Sequence, residues 1–153
     1  MPQTKELCFR LLTQEDLPAL VPLYMQYYNA REGGEWTHET TTRRLLQVVT
    51  RMDAFGLVAE LAAASGVPVA FAMGYYEQYD DGFAYDLVEI VVRDDLQGHG
   101  IGTALMQELE RQAKAAGALL VQLQAVNDAR HHRFYGRLGY GDASNLTLKT
   151  KML

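Results

Sequence analysis

The chain has 153 residues, 48% of them hydrophobic and 22% charged, a composition that fits one folded domain over 1–153 and excludes a disordered chain. Its one cysteine, Cys8, rules out an intramolecular disulfide and every paired-cysteine zinc or redox motif. No apolar run approaches the ~18 residues of a membrane span, and the formal charge of −5 lacks the basic excess a nucleic-acid binder needs, so a cytoplasmic protein with neither membrane nor nucleic acid as partner is expected.

Leu7 to Leu12 reads as a first strand, and Thr13 with Asp16 three residues on supplies a helix start. Leu17, Leu20, Val21, Tyr24 and Tyr28 recur at three- and four-residue spacing, which predicts a helix to about Asn29. Gly33-Gly34 breaks the chain before a second helix from His38 to Arg51, whose apolar face is Leu45, Leu46, Val48 and Val49. Phe55 to Ala62 and Val67 to Tyr76 are β-rich runs around a hairpin signal, and Phe83 to Val92 is a further strand after an Asp-Gly turn. At the far end, Leu146 to Leu153 alternates as a terminal strand.

Charge is distributed unevenly along this order. Residues 1–96 hold seven Lys/Arg against fifteen Asp/Glu, a net of −8, whereas residues 97–153 hold seven against four, a net of +3. Seven of the acids fall between Glu77 and Asp95. The pattern suits an acidic mouth for a cationic substrate beside a basic half for an anionic one.

The segment after the strand 83–92 is the informative one. Arg93-Asp-Asp-Leu-Gln-Gly-His-Gly-Ile-Gly102 is rich in glycine, and Ile101, Leu105, Leu109 and Ala113 then mark a helix that Gly117 terminates. Glycines at 98, 100 and 102 remove β-carbons, and the first helical turn leaves its N–H groups free, so a strand, loop and helix in this order make an anion site. A phosphate loop of the Gly-Lys-Ser/Thr kind is excluded because Gly102-Thr103 has no lysine. A dinucleotide fingerprint is excluded because Thr103 stands where a third glycine is required and Ala118-Leu-Leu-Val121 offers no acid.

Gln97-Gly-His-Gly-Ile-Gly102 resembles the Q/R-x-x-G-x-G/A signature of the GNAT family of N-acetyltransferases, whose loop binds the pyrophosphate of coenzyme A. Asn127-Asp-Ala-Arg-His-His-Arg-Phe-Tyr135-Gly-Arg-Leu-Gly-Tyr140 is similar to that family's second segment, N-x(n)-F-Y-x-x-x-G-F/Y. The resemblance implies an α/β fold, of the α+β kind, with a mixed central sheet flanked by helices, in which strands 84–92 and 118–124 splay apart around the pantetheine arm. It implies acetyl-CoA as co-substrate without a metal. The residues it assigns to that co-substrate are Ile90, Val91 and Val92 on the strand, Gln97, Gly98, His99, Gly100, Ile101, Gly102 and Thr103 in the loop, and Asn127, His131 and Tyr135 downstream. Two departures stand out: Gln97 occupies a position where the family often has arginine, and His131 one where many members have a small residue.

Transfer of an acetyl group to a protonated amine needs a base, and Glu89 is the one acid inside the apolar run Leu87 to Val92. The resemblance points to the same position. A bulge near Val91 or Val92 is expected to release backbone N–H groups towards the oxyanion, and the resemblance makes Tyr135 the acid that protonates the departing thiolate. Aromatic residues beside acids suit an ammonium group, and Tyr28, Trp36 and Tyr75 are the expected acceptor contacts. His99, His131 and His132 match no recognised zinc spacing. The expected activity is direct acetyl transfer from acetyl-CoA to a small-molecule amine in a ternary complex, with a non-catalytic acyl-CoA-binding module as the alternative. A homodimer is expected from family habit and from the terminal strand as an exposed edge.

Overall fold

The computed structural model describes residues 6–153. In chain order it contains strand Leu7–Leu11 (β1), helices Leu17–Arg31 (α1) and His38–Val49 (α2), strands Ala54–Leu61 (β2), Pro68–Tyr79 (β3) and Gly82–Val92 (β4), helix Ile101–Ala116 (α3), strand Val121–Leu123 (β5) and helix Ala129–Arg137 (α4). The strands lie side by side in the order β1-β2-β3-β4-β5; β1 to β4 are antiparallel to their neighbours and β5 runs parallel to β4. This is the expected mixed sheet flanked by helices.

Local chemistry accounts for several helix ends. The Asp16 carboxylate accepts the Thr13 N–H at 2.8 Å just ahead of α1, and Thr37 Oγ1 accepts the Thr40 N–H at 3.1 Å to cap α2. Gly117 ends α3 at φ 102°, a left-handed conformation that costs glycine little. Two apolar layers then form on opposite faces of the sheet. Leu20, Val21, Tyr24, Leu45 and Val48 of α1 and α2 pack with Phe71, Met73 and Val91. Ile101, Leu105, Met106, Leu109 and Ala113 of α3 pack with Leu57, Ala70, Ala72, Tyr85 and Leu87. Each of the larger side chains contributes about 1.5–3 kcal/mol through burial.

Several boundaries differ from the sequence expectation. Helix α1 continues to Arg31, because neither Asn29 nor Ala30 stops it and the chain turns only where the Gly34 N–H reaches the Tyr28 carbonyl at 2.9 Å. Helix α2 stops at Val49, and β3 runs on to Tyr79 to form a long hairpin with β4. Strand β5 covers three residues where seven were expected: Leu119 and Leu120 bond to Phe83 and Tyr85, but pairing ends at Leu123.

The expected terminal strand is absent. Residues 141–153 are exposed and lie outside every helix and strand, with Leu146 and Leu148 each 70% exposed. Alternation supplies a strand with two faces but not with a ladder neighbour, and no described segment offers one. Among the described residues no helix is long and apolar enough to cross a membrane.

Candidate active site

Strands β4 and β5 are paired only through Tyr85, Asp86 and Leu87. Beyond Leu87 the β5-facing edge of β4 has no strand neighbour, and a cavity of about 330 Å³ opens there. Its walls are Val88, Glu89, Ile90 and Val92 of β4, residues 123–126, Phe134 and Tyr135 of α4, and Tyr27 and Tyr28 of α1. Glu89 and Tyr135 therefore line one space.

A bulge sits within this wall, three residues earlier than expected. Met73 is opposite Glu89 and Gly74 is opposite Leu87, so Val88 has no partner, whereas Val91 and Val92 are in register with Phe71 and Ala70. The close approach explains the position: a β-carbon on Gly74 would stand 1.9 Å from the Asp86 carbonyl oxygen. The extra residue turns Glu89 onto the face covered by α1 and α2. The Val91 side chain is buried in that same layer, while Ile90 and Val92 line the cavity.

Glu89 is 6% exposed, and both carboxylate oxygens are engaged. Oε1 accepts the Tyr24 hydroxyl at 3.1 Å and Arg44 Nε at 2.9 Å; Oε2 accepts the Tyr28 hydroxyl at 3.0 Å. A buried carboxylate is retained only when charge and hydrogen bonds compensate its lost hydration, and α1 and α2 supply both. Burial is the main cause that pushes the Tyr24 and Tyr28 hydroxyls above the ordinary phenol range, with the Glu89 charge adding to it. Both hydroxyls are therefore donors to Glu89 at neutral pH.

The loop 97–103 adjoins the other side of the cavity. Gly98 and Gly100 adopt φ values of 77° and 79°, and a β-carbon on Gly98 would meet nothing within 4 Å. The first intrahelical bond of α3 runs from the Ala104 N–H to the Gly100 carbonyl at 3.0 Å, so the N–H groups of Ile101, Gly102 and Thr103 have no helical acceptor. Gly102 serves packing: its β-carbon would touch the Phe134 ring at 3.4 Å and Val92 Cγ2 at 3.6 Å. The Ile101 side chain is buried beneath α3, and Gln97 Nε2 donates to the Val92 carbonyl at 2.8 Å. Gln97 thus ties the loop to β4, and the backbone presents the donors. The free N–H groups at the start of α3 could hold a pyrophosphate, and the cavity that Gln97, Val92 and Phe134 line beside them could take a pantetheine arm.

Helix α4 forms the remaining wall. Asp128 caps it by accepting the His131 N–H at 2.8 Å. Tyr135 is largely buried, and desolvation, with smaller effects of Tyr27 and Glu89, pushes its hydroxyl up to about 12. It keeps its proton throughout the physiological range. His131 lines the cavity but its Nδ1 contacts Asp128 Oδ1 at 2.7 Å, and His132 Nε2 contacts Asn127 Oδ1 at 2.7 Å. His99 Nδ1 lies 3.1 Å from the Leu96 carbonyl and 3.0 Å from that of Gln97. These contacts hold the loops at both ends of the cavity.

Of the expected acceptor residues, Tyr28 lines the cavity. Trp36 packs behind it, 5.0 Å from Tyr24 ring to ring, and Tyr75 lies under the Arg51 guanidinium at 4.2 Å. Neither Trp36 nor Tyr75 is part of the cavity wall. Sequence reasoning missed Tyr24 and Arg44 as partners of Glu89. It also missed Arg130, which donates to the Tyr27 hydroxyl at 2.8 Å and to Glu32 Oε1 at 2.6 Å and so joins α4 to α1. The only signal was polar atoms at helical spacing on otherwise apolar faces, which does not name a partner.

With this geometry in place, comparison with known proteins gives a consistent class. Residues 17–140 match the acetyltransferase (GNAT) family, and the chain belongs to it. It is 26% identical over 140 residues to an uncharacterized N-acetyltransferase of Methanocaldococcus jannaschii, covering 89% of this chain and 61% of that protein. The chain thus spans about three-fifths of the length of this curated relative. Among solved structures, an acetyltransferase described as possible from Clostridium difficile 630 superposes with a TM-score of 0.81 at 14% identity, covering 96% of this chain and 98% of that one. An aminoglycoside acetyltransferase from an uncultured soil metagenomic sample superposes with a TM-score of 0.76 at 20% identity, covering 97% of each chain. At these identities the structural matches establish the fold.

Proposed function

We propose that this protein transfers the acetyl group of acetyl-CoA to the primary amine of a small cationic molecule, by direct attack within a ternary complex. The observation that carries the reading is the shared cavity: a buried carboxylate and a protonated phenol line one gap that Gln97 at the start of the glycine-rich loop also lines. The acetyl donor supplies an activated thioester carbonyl, and the chain's own residues supply the rest. The loop 98–103 and the first turn of α3 hold the pyrophosphate, aided by the positive end of the helix. Ile90 and Val92 flank the arm, and the unpaired edge of β4 offers it backbone groups.

Glu89 takes the proton that the attacking amine must lose. Its two oxygens are already engaged by Tyr24, Tyr28 and Arg44, which favours relay through one water over direct contact. Tyr135 holds the proton that the departing sulfur requires. The aminoglycoside acetyltransferase with the same fold makes a polycationic amine a natural first acceptor, and the acidic stretch from Glu77 to Asp95 attracts such a molecule.

The deciding measurement is acetyl-CoA-dependent release of free CoA across a panel of polyamines, aminoglycosides and amino acids. Acceptor-dependent release is expected for at least one cationic class. Tight acetyl-CoA binding with no release across the panel would favour a non-catalytic binding module, for which Glu89 and Tyr135 have no use.

A further inference from the structure

Helix α2 carries a charge on its buried face. Thr41, Leu45 and Val48 are its buried residues, and Arg44 stands three residues from Thr41 and four from Val48, on that face, whereas Arg43 is exposed. A guanidinium in such a position is retained only against an opposite charge. The opposite charge is Glu89, whose Oε1 accepts Arg44 Nε at 2.9 Å. The Glu89 side chain is 5% exposed and that of Arg44 38%, so the carboxylate is the more deeply placed partner.

The two oxygens of Glu89 are not equivalent. Oε1 accepts both Arg44 Nε and the Tyr24 hydroxyl, at 2.9 and 3.1 Å, and neither of those side chains is part of the cavity wall. Among the described residues Oε2 accepts the Tyr28 hydroxyl alone, at 3.0 Å, and Tyr28 lines the cavity. Each carboxylate oxygen has two acceptor sites, so Oε1 is filled and Oε2 keeps room for one more partner. One oxygen anchors the group, and the other is left for a proton arriving from the cavity.

Burial by itself disfavours a charged carboxylate, and a neighbouring cation favours it. The titratable groups that face Glu89 are Tyr24 and Tyr28 of α1, Arg44 of α2 and Tyr135 of α4; the residue opposite it on β3 is Met73. The three phenols are held above their ordinary value and are neutral at physiological pH, so Arg44 is the one positive charge in this set. Burial works against that charge, but Glu89 and Tyr24 together hold the guanidinium above its ordinary value.

We propose that Arg44 is a positioning residue for acetyl transfer: it fills Oε1, keeps the buried Glu89 ionised and so reserves Oε2 as the atom that takes the acceptor's proton. In that step an N–H bond of the ammonium breaks, its electron pair stays on nitrogen for the attack, and an O–H bond forms at Oε2 by way of one bridging water. The inference rests on the acetyl-transfer reading of Glu89. A base works only while unprotonated, so its contribution is present above its own titration and is lost as pH falls through it. Without the cation, burial moves that point up.

The pH–rate profile of Arg44→Met should have its acid limb moved towards neutral by at least about one pH unit, the low end of what an adjacent opposite charge provides. At a fixed pH on that limb the rate then falls about tenfold, and at alkaline pH it approaches the wild-type rate. Arg44→Gln, polar but uncharged, should follow Arg44→Met, whereas Arg44→Lys, which keeps the charge, should move the limb less than half as far. Comparison of Gln with Lys carries the test even where Met does not fold, and acetyl-CoA affinity by calorimetry should be unchanged in both. A second measurement needs no acceptor: carbon-13 NMR of the Glu89 carboxyl, assigned by its loss in Glu89→Gln, should titrate at higher pH in Arg44→Gln than in Arg44→Lys. Coincident titrations, or a loss of rate that is the same at every pH, overturn the proposal while a slow Glu89→Gln leaves the acetyl-transfer reading standing. A wild-type rate in Glu89→Gln overturns both.

Discussion

At one end of the cavity the loop 97–103 presents backbone N–H groups in an order that seven consecutive residues encode. At the other end Glu89 is held by Tyr24, Tyr28 and Arg44, which lie 65, 61 and 45 residues away in sequence. The first region is local. Glycine conformations and a helix start fix it, and it tolerates changes elsewhere as long as β4 leads into α3. The second region exists only when α1 and α2 have docked on the sheet. Donor binding should therefore survive damage to the acceptor side, and acetyl transfer should fail when either region is disturbed.

The strongest test of that contrast is Glu89→Gln. The amide keeps the shape, and its single oxygen can still accept at one of the two carboxylate positions while its NH2 donates at the other, but it cannot take a proton. Turnover is expected to fall by roughly two to four decades at neutral pH, with acetyl-CoA affinity nearly unchanged by calorimetry. Alkaline pH should restore part of the rate, because more of the acceptor amine is then already neutral. A wild-type rate, measured where chemistry limits turnover, would remove Glu89 from the mechanism.

Gly100→Asp breaks the opposite region. It introduces a side chain at a left-handed backbone position, φ 79°, and a negative charge beside the N–H cradle. Acetyl-CoA affinity should drop at least about a hundredfold, the size of effect that follows from losing several charge-assisted hydrogen bonds, while the circular dichroism spectrum is unchanged. Retained affinity would place the pyrophosphate elsewhere.

Tyr135→Phe is expected to cost about ten- to a hundredfold in turnover, at the lower end of acid–base contributions. Unlike Glu89→Gln it should show no recovery at alkaline pH, since the missing proton is on the leaving-group side. The raised value of about 12 adds a prediction for the unaltered protein. An ordinary tyrosine is half ionised near pH 10, so a rate that holds to pH 10 and beyond accords with a partly buried, protonated Tyr135. An alkaline limb falling near 10 would contradict it.

The same division explains what was legible in the sequence. The glycine-rich turn, the α3 pattern and the Gly117 stop are all short-range, and each is found where expected. Strand β4 was also legible, but its bulge was misplaced at Val91 or Val92, because the register is set by Gly74 on a neighbouring strand and by how closely it meets Asp86. Arg44 sits on a helix whose apolar face was readable, yet nothing in its own surroundings names Glu89. The strand expected at 146–153 alternates in sequence but pairs with no described segment, so pattern alone does not supply a ladder.

Arg130→Ala should have the smallest effect, and it separates a clasp from a catalytic group. Arg130 bonds to Tyr27 and Glu32 across the cavity, but it and Glu32 are partly exposed, 46% and 28% respectively. Pairs of this kind contribute about 0–1 kcal/mol after solvent screening. Its removal loosens α4 against α1 without touching a proton carrier, so a two- to fivefold rise in KM for acetyl-CoA with nearly constant kcat is expected, on the scale of roughly 0.4–1 kcal/mol. Steady-state kinetics at low and high salt sharpen the test. The wild type should lose part of its advantage as salt rises, because screening weakens the exposed ion pair that the variant already lacks. A fall in kcat of a decade or more would instead place Arg130 among the groups that act on the reacting atoms.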